Sequence, residues 1–176
     1  LRENAKDTIK KLKKNGIKKV VMMTGDSDRT AKAIAKKVGI DEYYSEVLPE
    51  DKAKFVDKEI AMGHSVIMIG DGINDSPALS KADVGIAMNH GAQVAKEIAD
   101  ITIDGEDLSQ IVTLLKISKS LMKRINRNYR TIVSFNSGLI VMGVAGIIAP
   151  TTSALLHNAS TLAIGLSSMK DLDLER

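Results

Sequence analysis

Apolar and polar positions in the first 107 residues alternate between two patterns. Residues 3–14 carry Ala5, Ile9 and Leu12 at helical spacing with lysines on the other faces, which predicts an amphipathic helix. Short runs rich in branched residues predict strands, and the polar turns between them lead into further helical patterns. Strands that alternate with helices at this spacing predict an α/β fold with a doubly wound parallel sheet. The predicted strands cover residues 17–23, 65–69, 84–88 and 101–103, with residues 40–47 a short strand or a loop, and the later helices cover residues 28–38, 76–82, 91–98 and a segment that begins at Pro49.

The pattern changes after residue 107. Residues 108–130 show a helical pattern without a breaker, and residues 131–169 contain no Asp, Glu, Lys or Arg. A helix needs roughly 20 residues to cross a ~30 Å hydrocarbon core, so this uncharged run is long enough for two short crossings with a turn at Pro150-Thr151-Thr152. Basic residues stand on both sides of the run, which favours a membrane hairpin whose two ends lie in the cytoplasm. The alternative is a buried helical hairpin in a soluble protein.

These patterns predict four regions in a multi-pass protein of the cell membrane, with the lipid bilayer as a partner. Residues 1–107 form a partial α/β domain in the cytoplasm, and residues 108–130 form a stalk helix. Residues 131–169 form two transmembrane helices, and residues 170–176 form a cytoplasmic tail.

Composition narrows the classes of function. Of the 176 residues, 44% are apolar and 27% are charged, which excludes a disordered chain. The net charge is only +3 and aromatic residues make up 3%, so the clustered basic surface and stacking platforms of nucleic-acid-binding proteins are missing. Without cysteine, the chain has neither a disulfide framework nor a thiolate metal site.

Candidate chemistry is concentrated where two predicted strands end. The strand at residues 65–69 stops at Gly70-Asp71-Gly72, and Asn74 and Asp75 follow within three residues. Ligands bind at the carboxyl ends of strands in open α/β sheets, and carboxylates such as Asp71 and Asp75 are the hard oxygen ligands that Mg²⁺ prefers. The alternative is a loop in which an Asp or Asn only caps the next helix.

The other strand end carries similar groups. The strand at residues 17–23 runs into Thr24-Gly25-Asp26, and Lys52 lies between the two strand ends in sequence. A hydroxyl, backbone amides, a fixed cation and a carboxylate that holds Mg²⁺ are the groups that stabilise a phosphoryl group in transfer. Taken alone, Lys52 is equally well read as a solvated helix lysine. The nucleophile that a covalent phosphoenzyme needs is at neither strand end.

These motifs resemble those of one family. Thr24-Gly25-Asp26, Lys52 and the run Gly70-Asp71-Gly72-Ile73-Asn74-Asp75-Ser76-Pro77-Ala78-Leu79 are similar to the second, third and fourth phosphotransfer motifs of the P-type ATPases, which have a haloacid-dehalogenase-like fold. The stalk and the paired helices resemble the heavy-metal-transporting branch. The resemblance implies ATP-driven transport of a heavy-metal cation through an aspartyl-phosphate intermediate, with Mg²⁺ and ATP as cofactors and the remainder of a pump as partner.

The resemblance also implies roles for single residues. Thr24 would hydrogen-bond the phosphoryl oxygens, Lys52 would neutralise phosphoryl charge, and Asp71 would coordinate Mg²⁺. The residues implied to act in phosphoryl transfer are Thr24, Gly25, Asp26, Lys52, Asn74 and Asp75, those implied to approach the cofactor are Gly70 and Gly72, and those implied to position Mg²⁺ are Asp71 and Asp75.

Several parts of the family pattern do not occur in these 176 residues. They are the Asp-Lys-Thr-Gly-Thr phosphorylation sequence, the nucleotide-binding and actuator domains, the first six membrane helices and the Cys-Pro metal motif. We therefore expect a C-terminal fragment of a pump that is inactive by itself. The alternatives are a soluble haloacid-dehalogenase-like phosphatase and a truncated, non-catalytic partner of an intact transporter.

The uncharged run contains polar groups that could meet the transported ion, because polar groups inside membrane helices are usually functional. His157 suits several first-row metals, although it could instead be an interfacial histidine near a helix end. Phe135 stands where copper pumps carry a tyrosine, so the pattern does not identify the metal. The implied ion ligands are Asn136, His157, Ser160 and Thr161.

Overall fold

The computed structural model describes residues 4–70, 73–88, 93–103 and 107–172. The chain divides into two compact units, Leu1–Thr113 and Leu114–Arg176. Strands alternate with helices in the first unit, and the described part of the second unit is almost entirely helical. The finer division into stalk, membrane helices and tail stays a prediction.

The order of elements in the first unit is the order predicted from the sequence. The helices are α1 (Ala5–Lys14), α2 (Asp28–Val38), α3 (Pro49–Ala61), α4 (Ser76–Leu79) and α5 (Gln93–Ile98), and the strands are β1 (Val21–Met23), β2 (Glu42–Tyr44), β3 (Ile67–Gly70), β4 (Val84–Met88) and β5 (Ile101–Ile103). A single 3-10 turn, Ile73–Asp75, precedes α4.

Helix α2 illustrates how local sequence sets these bounds. Asp28 lies in its first turn, where a negative charge favours the positive end of the helix dipole. Gly39 follows the last residue with a φ of +81°, a left-handed conformation that ends the helix and that glycine adopts without strain. Ala31, Ala35 and Val38 are buried on one face, as the helical spacing predicts.

Both sheets are parallel, as predicted, but the described strands form two sheets instead of one. β1 pairs only with β2, whereas β4 lies between β3 and β5. β1 is shorter than the predicted strand at residues 17–23 because its partner strand begins only at Glu42, opposite Val21. Among the described strands, β1 and β3 therefore each have one edge without a partner.

An aspartate stands immediately before each of β2, β4 and β5, and its carboxylate bonds to the neighbouring strand. In each pair a backbone N–H at or near the start of the neighbouring strand donates to the carboxylate. This bond fixes the register in which the two strands begin to pair. The pairs are Asp41 with Val20, Asp83 with Val66, and Asp100 with Gly85, each at 2.8 Å.

We predict that Asp83→Ala speeds amide hydrogen exchange in β3 about 5- to 30-fold. Loss of a hydrogen bond to a charged acceptor costs about 1–2 kcal/mol, and local opening of the strand should become easier by that amount. Exchange measured by mass spectrometry tests this. Asp57→Ala, which removes an exposed carboxylate paired with Lys81, should change exchange in β3 by less than about threefold. Equal effects of the two substitutions would contradict the register role.

The core of the first unit lies between α3, α4 and the strands β3 and β4. Small residues let these elements approach closely. A Cβ on Gly85 would lie 2.7 Å from the backbone oxygen of Leu79, so α4 can pack on β4 only because position 85 lacks a side chain. The buried cluster consists of Ala53, Val56, Met68, Ala78, Leu79 and Ala87.

The second unit is a helical hairpin. Helix α6 (Ser109–Val144) begins at the end of the first unit and continues without interruption into the second, and α7 (Pro150–Ser168) follows it. The predicted turn at Pro150-Thr151-Thr152 is wrong, because Pro150 is the first residue of α7, where its missing N–H costs no hydrogen bond. The turn lies at residues 145–149 and includes Gly146, whose φ is +71°.

The hairpin buries little of its apolar surface. Beyond residue 130, Leu139 is the only described apolar residue that is buried, and α7 has no buried residue. Within the described ranges, no helix combines the length and the apolar character needed to cross a membrane. The predicted pair of transmembrane helices is therefore not confirmed.

Candidate functional site

Lys52 and Asp75 form an ion pair in the interior of the first unit. Leu48 has an extended backbone and Pro49 starts α3, so Lys52 falls in the first turn of that helix. Its ammonium lies 2.7 Å from Oδ1 of Asp75, and the two side chains are only 13% and 12% exposed. Because an ion pair this well shielded is rare among surface lysines, Lys52 is not a solvated helix lysine.

Gly70, the last residue of β3, lies directly against Asp75. A Cβ added at Gly70 would be 2.5 Å from the Cβ of Asp75 and 2.9 Å from its Oδ2. Both residues are buried. The absence of a side chain at position 70 therefore allows the Asp75 carboxylate to sit at the carboxyl end of β3, as the sequence pattern predicts.

The second strand end is organised by Thr24. Its hydroxyl donates to Oδ2 of Asp26 at 3.0 Å and accepts the backbone N–H of Asp26 at 3.1 Å. A Cβ added at Gly25 would meet nothing within 4 Å, so packing does not require a glycine there. The loop is thus formed locally and leaves open space beside Gly25.

Backbone hydrogen bonds connect the Thr24 loop to the segment just before α3. The N–H of Val47 donates to the carbonyl of Thr24, and the N–H of Glu46 donates to the carbonyl of Asp26, both at 3.0 Å. Glu46 has a φ of 54°, an uncommon conformation for a residue with a side chain. Since Val47 is followed within five residues by Lys52, these bonds hold the loop after β1 to the segment that positions the ion pair.

The other predicted site residues differ in whether the structure describes them and in their exposure. Asp71 and Gly72 lie outside the described residues, and Asn74 is exposed. The sequence motif assigns no role to Ser76, yet the residue is 7% exposed and its Oγ has no hydrogen-bond partner within the described ranges. A buried hydroxyl without a partner beside Asp75 is an additional candidate for ligand contact.

The donor atoms at the end of β3 decide which metal ion could bind there. Within the described parts of the chain, no cluster of three His, Cys, Asp or Glu side chains could hold a metal ion. The nearly buried carboxylate of Asp75 at a strand end has the hard oxygen chemistry that suits Mg²⁺. The donor type therefore fits Mg²⁺, with Asp71 as the further carboxylate that the sequence provides.

Further along α3, Glu59 connects the helix to its surroundings. Nδ1–H of His64 donates to Oε2 of Glu59 at 2.7 Å, and the Lys19 ammonium donates to Oε1 at 3.3 Å. The hydrogen bond from His64, together with that from Lys19, lowers the pKa of Glu59 although partial burial raises it. The Glu59 side chain is 11% exposed, so these bonds help to fix the helix that carries Lys52.

We predict that this carboxylate contributes stability that is lost in acid. A carboxyl with a lowered pKa stabilises the folded state above its unfolded pKa of about 4.3 and loses that contribution as the pH falls through the lowered value. Glu59→Gln should lower stability at neutral pH by about 1–2 kcal/mol and should flatten the decline in melting temperature below about pH 4.3. Thermal melts followed by circular dichroism measure both, with the exposed Glu50→Gln as control. An unchanged acid profile in Glu59→Gln would contradict this.

In the second unit, two of the predicted ion ligands meet across the hairpin. Nδ1–H of His157 in α7 donates to Oδ1 of Asn136 in α6 at 2.9 Å. This tautomer places the lone pair on Nε2, the atom that a metal ion would bind. Ser160 and Thr161 instead donate to the backbone carbonyl of His157, at 2.8 and 3.0 Å. Their oxygens keep lone pairs but are held against their own helix.

Comparisons with known proteins identify similar sequences and folds. Residues 1–83 match a family described as haloacid dehalogenase-like hydrolases, and residues 55–115 match a second family with the same description. The α/β fold of the first unit is therefore haloacid-dehalogenase-like.

Similar curated proteins are metal-exporting pumps. The chain is 39% identical over 171 residues to a manganese-exporting P-type ATPase of Mycobacterium leprae, covering 97% of this chain and 24% of that protein. It is 39% identical over 171 residues to a zinc-exporting P-type ATPase of Mycobacterium marinum, covering 97% and 23%. It is 41% identical over 170 residues to a copper-exporting P-type ATPase of Staphylococcus epidermidis, covering 97% and 21%. The chain thus spans about a quarter of the length of these relatives.

Similar solved structures are also those of ATPases and their domains. The crystal structure of a zinc-transporting PIB-type ATPase superposes on 93% of this chain and 27% of its own length, with a TM-score of 0.83 and 33% sequence identity. The catalytic domain of the CPx-ATPase CopB-B superposes on 66% of this chain and 44% of its own length, with a TM-score of 0.56 and 41% identity. The chain belongs to the heavy-metal-transporting P-type ATPase family.

Proposed function

We propose that this chain provides the phosphoryl-transfer site and two membrane helices of a pump that uses ATP to export a heavy-metal cation. The observation that carries the proposal is the shielded Lys52–Asp75 ion pair at the carboxyl end of β3. Asp75 lies inside the long motif that resembles the P-type ATPases, and Lys52 reaches it from α3. The chain's relatives are named as exporters of manganese, zinc and copper.

Each residue of the site has a chemical task in this proposal. The Lys52 ammonium, held by Asp75, offsets negative charge on the phosphoryl group, and the Thr24 hydroxyl turns from Asp26 to a phosphoryl oxygen. Asp71 and Asp75 would hold Mg²⁺, which neutralises charge on the phosphate when bound. Asn74, which is exposed, and the space beside Gly25 remain accessible to the phosphate.

The phosphorylated aspartate would come from the remainder of the pump, as would the nucleotide-binding domain that holds ATP. Support comes from the sheet edges, since β1 and β3 each have one edge without a partner among the described strands. A parallel strand added at these edges would end beside Thr24 and Gly70, because the carboxyl ends of parallel strands meet at the same edge of a sheet.

The second unit is proposed to lie in the membrane with both ends in the cytoplasm. Its support is the exposure of large apolar side chains along α6 and α7, such as Ile140, Val141, Leu155 and Leu162, each at least 66% exposed. Contiguous apolar surface of this kind is rare on soluble monomers. The uncharged run and its basic flanks support the same orientation.

The proposed contact with the transported cation is the His157–Asn136 pair. A histidine that binds a metal commonly donates its other ring N–H to an oxygen acceptor, which is the arrangement of Nδ1 and Asn136. Ser160 and Thr161 provide nearby oxygens, and further ligands would come from the remainder of the pump.

A chimera tests the function. Residues 1–176 would replace the corresponding segment of the zinc-transporting ATPase on which this chain superposes, and phosphoenzyme would be measured by acid quenching after incubation with ATP and Mg²⁺. We expect an acid-stable phosphoenzyme from the chimera and none from its Asp71→Asn variant. The relative's own segment, inserted by the same junctions, is the control. Phosphorylation that persists fully in Asp71→Asn would contradict the proposal.

A simple extraction test separates the proposal from a soluble phosphatase. The chain expressed in cells should stay in the membrane pellet in alkaline buffer and should be released by detergent. Release by buffer alone would favour the phosphatase and would remove the membrane assignment.

A further inference from the structure

A cleft in the second unit lies between α6 and the carboxyl end of α7. It has a volume of about 640 Å³, a size typical of small-molecule sites. Four cationic side chains line it, and Asp171 is the single carboxylate among its described lining residues. The cationic residues are Lys123, Arg124, Arg127 and Lys170.

One of these cations has a structural task. The Arg124 guanidinium donates to the backbone carbonyls of Ser168, Lys170 and Asp171 at 2.9, 2.5 and 2.6 Å, and so it satisfies carbonyls at and beyond the end of α7. Asn128 donates to the Ser168 hydroxyl at 2.7 Å. These bonds keep the two walls of the cleft together.

Two other cations are not used in this way. Within the described ranges, neither the Arg127 guanidinium nor the Lys170 ammonium forms an ion pair with a carboxylate. Arg127 faces the cleft from α6, and Lys170 faces it from the segment after α7. A cleft with this excess of positive charge is suited to an anionic group.

Towards the middle of the hairpin, the cleft is lined by Ala163 and Ile164 of α7 together with Thr131, the first residue of the uncharged run. Leu172, a further apolar lining residue, follows Lys170 and Asp171 at the charged end. One ligand would therefore meet positive charge at one end and apolar side chains at the other. A phospholipid has that division, whereas free phosphate does not.

We propose that this cleft binds the headgroup phosphate of an anionic phospholipid at the cytoplasmic surface of the membrane, with Arg127 and Lys170 as the phosphate ligands. The proposal rests on the membrane placement proposed above. Basic pockets between membrane helices on the cytoplasmic side bind anionic headgroups by the same chemistry, and arginine can contact phosphate through two N–H groups at once.

The test uses the full chain in detergent, with phosphatidylglycerol and phosphatidylcholine added in turn and bound lipid counted by native mass spectrometry. We expect retention of phosphatidylglycerol over phosphatidylcholine. Arg127→Gln combined with Lys170→Gln should weaken that retention about 10- to 30-fold, since each surface cation contributes about 1 kcal/mol to anionic-lipid binding. Arg127→Lys with Lys170→Arg should retain the preference, which keeps the test valid if the neutral variant unfolds.

A matched control replaces two lysines of α6 that do not line the cleft, Lys116→Gln with Lys119→Gln. This variant should retain phosphatidylglycerol as the unchanged chain does. An equal loss in this control would overturn the site, because any surface charge would then suffice. Inorganic phosphate that displaces the lipid at equal concentration would also overturn it.

A second arm reconstitutes the chain with vesicles of phosphatidylcholine, with or without phosphatidylglycerol. Insertion without any preference for phosphatidylglycerol overturns this inference alone. Failure to insert into either vesicle overturns the proposed membrane placement, and this inference with it.

Discussion

Lys52→Met is expected to lower phosphoenzyme formation by the chimera about 100- to 1,000-fold. That is the usual effect of removing one fixed group that stabilises the charge developing in a transition state. The Lys52 ammonium is held 2.7 Å from Asp75 with both side chains nearly buried, so water cannot easily replace the missing charge. Quenched-flow measurement of phosphoenzyme at saturating ATP tests this.

The same substitution should also destabilise the first unit, by about 3 kcal/mol, because it leaves the Asp75 carboxylate shielded without its cation. Lys52→Met combined with Asp75→Leu removes both charges and should recover most of that stability without recovering phosphorylation. Lys81→Met, which breaks an exposed pair with Asp57, is the control and should cost less than about 1 kcal/mol. Recovery of phosphorylation in the double variant would show that Lys52 acts only in packing.

Elements set by local signals could be predicted from the sequence. The bounds of α2, β4 and β5 are those predicted, because the pattern that marks each element lies within it or directly beside it. Gly39 ends α2 through its own backbone angle, and β4 and β5 are short runs of apolar or branched residues preceded by polar ones. Predictions of this kind need no information about distant parts of the chain.

Pairing between distant elements could not be predicted in the same way. The separation of the strands into two sheets depends on which strands lie side by side, and a strand pattern is the same whether its edge is paired or open. The aspartates before β2, β4 and β5 were visible in the sequence, but their bonds to the neighbouring strands depend on register. The burial of the Ser76 hydroxyl likewise follows from the packing of α4.

The candidate site contains features set by local sequence and features set by contacts between distant elements. The motif around Gly70 predicted a cluster of polar groups at a strand end, and the structure brings Lys52 to Asp75 across 23 residues of sequence. Backbone bonds from Glu46 and Val47 hold the Thr24 loop to the segment before α3, and the motif assigns no role to either residue. A motif can name the reacting groups because their chemistry is local, whereas their mutual placement depends on the loops between them.

Gly70→Ala is expected to have the second large effect, because the added methyl group would occupy the place of the Asp75 side chain. Its Cβ would lie 2.5 Å from the Cβ of Asp75, so the carboxylate must move. Overpacking of this kind costs about 1–3 kcal/mol, and a displacement near 1 Å at a reacting centre lowers rates about 100-fold. Phosphoenzyme formation by the chimera and urea unfolding of the chain measure the two effects.

Two further glycine-to-alanine substitutions test whether the effect of Gly70→Ala depends on the contact with Asp75 or only on the added methyl group. Gly25→Ala adds the same methyl group where nothing lies within 4 Å, so the stability of the fold should stay within about 0.5 kcal/mol, and any loss of phosphorylation would report a ligand approaching that backbone. Gly85→Ala places a Cβ 2.7 Å from the Leu79 carbonyl oxygen and should destabilise the fold about as much as Gly70→Ala. Because the three atoms nearest to a Cβ at Gly85 all belong to Leu79, the protein that remains folded should phosphorylate nearly normally. If Gly85→Ala lowered phosphorylation of folded protein as far as Gly70→Ala does, the loss in Gly70→Ala would come from instability and the close placement of Asp75 would have no special role.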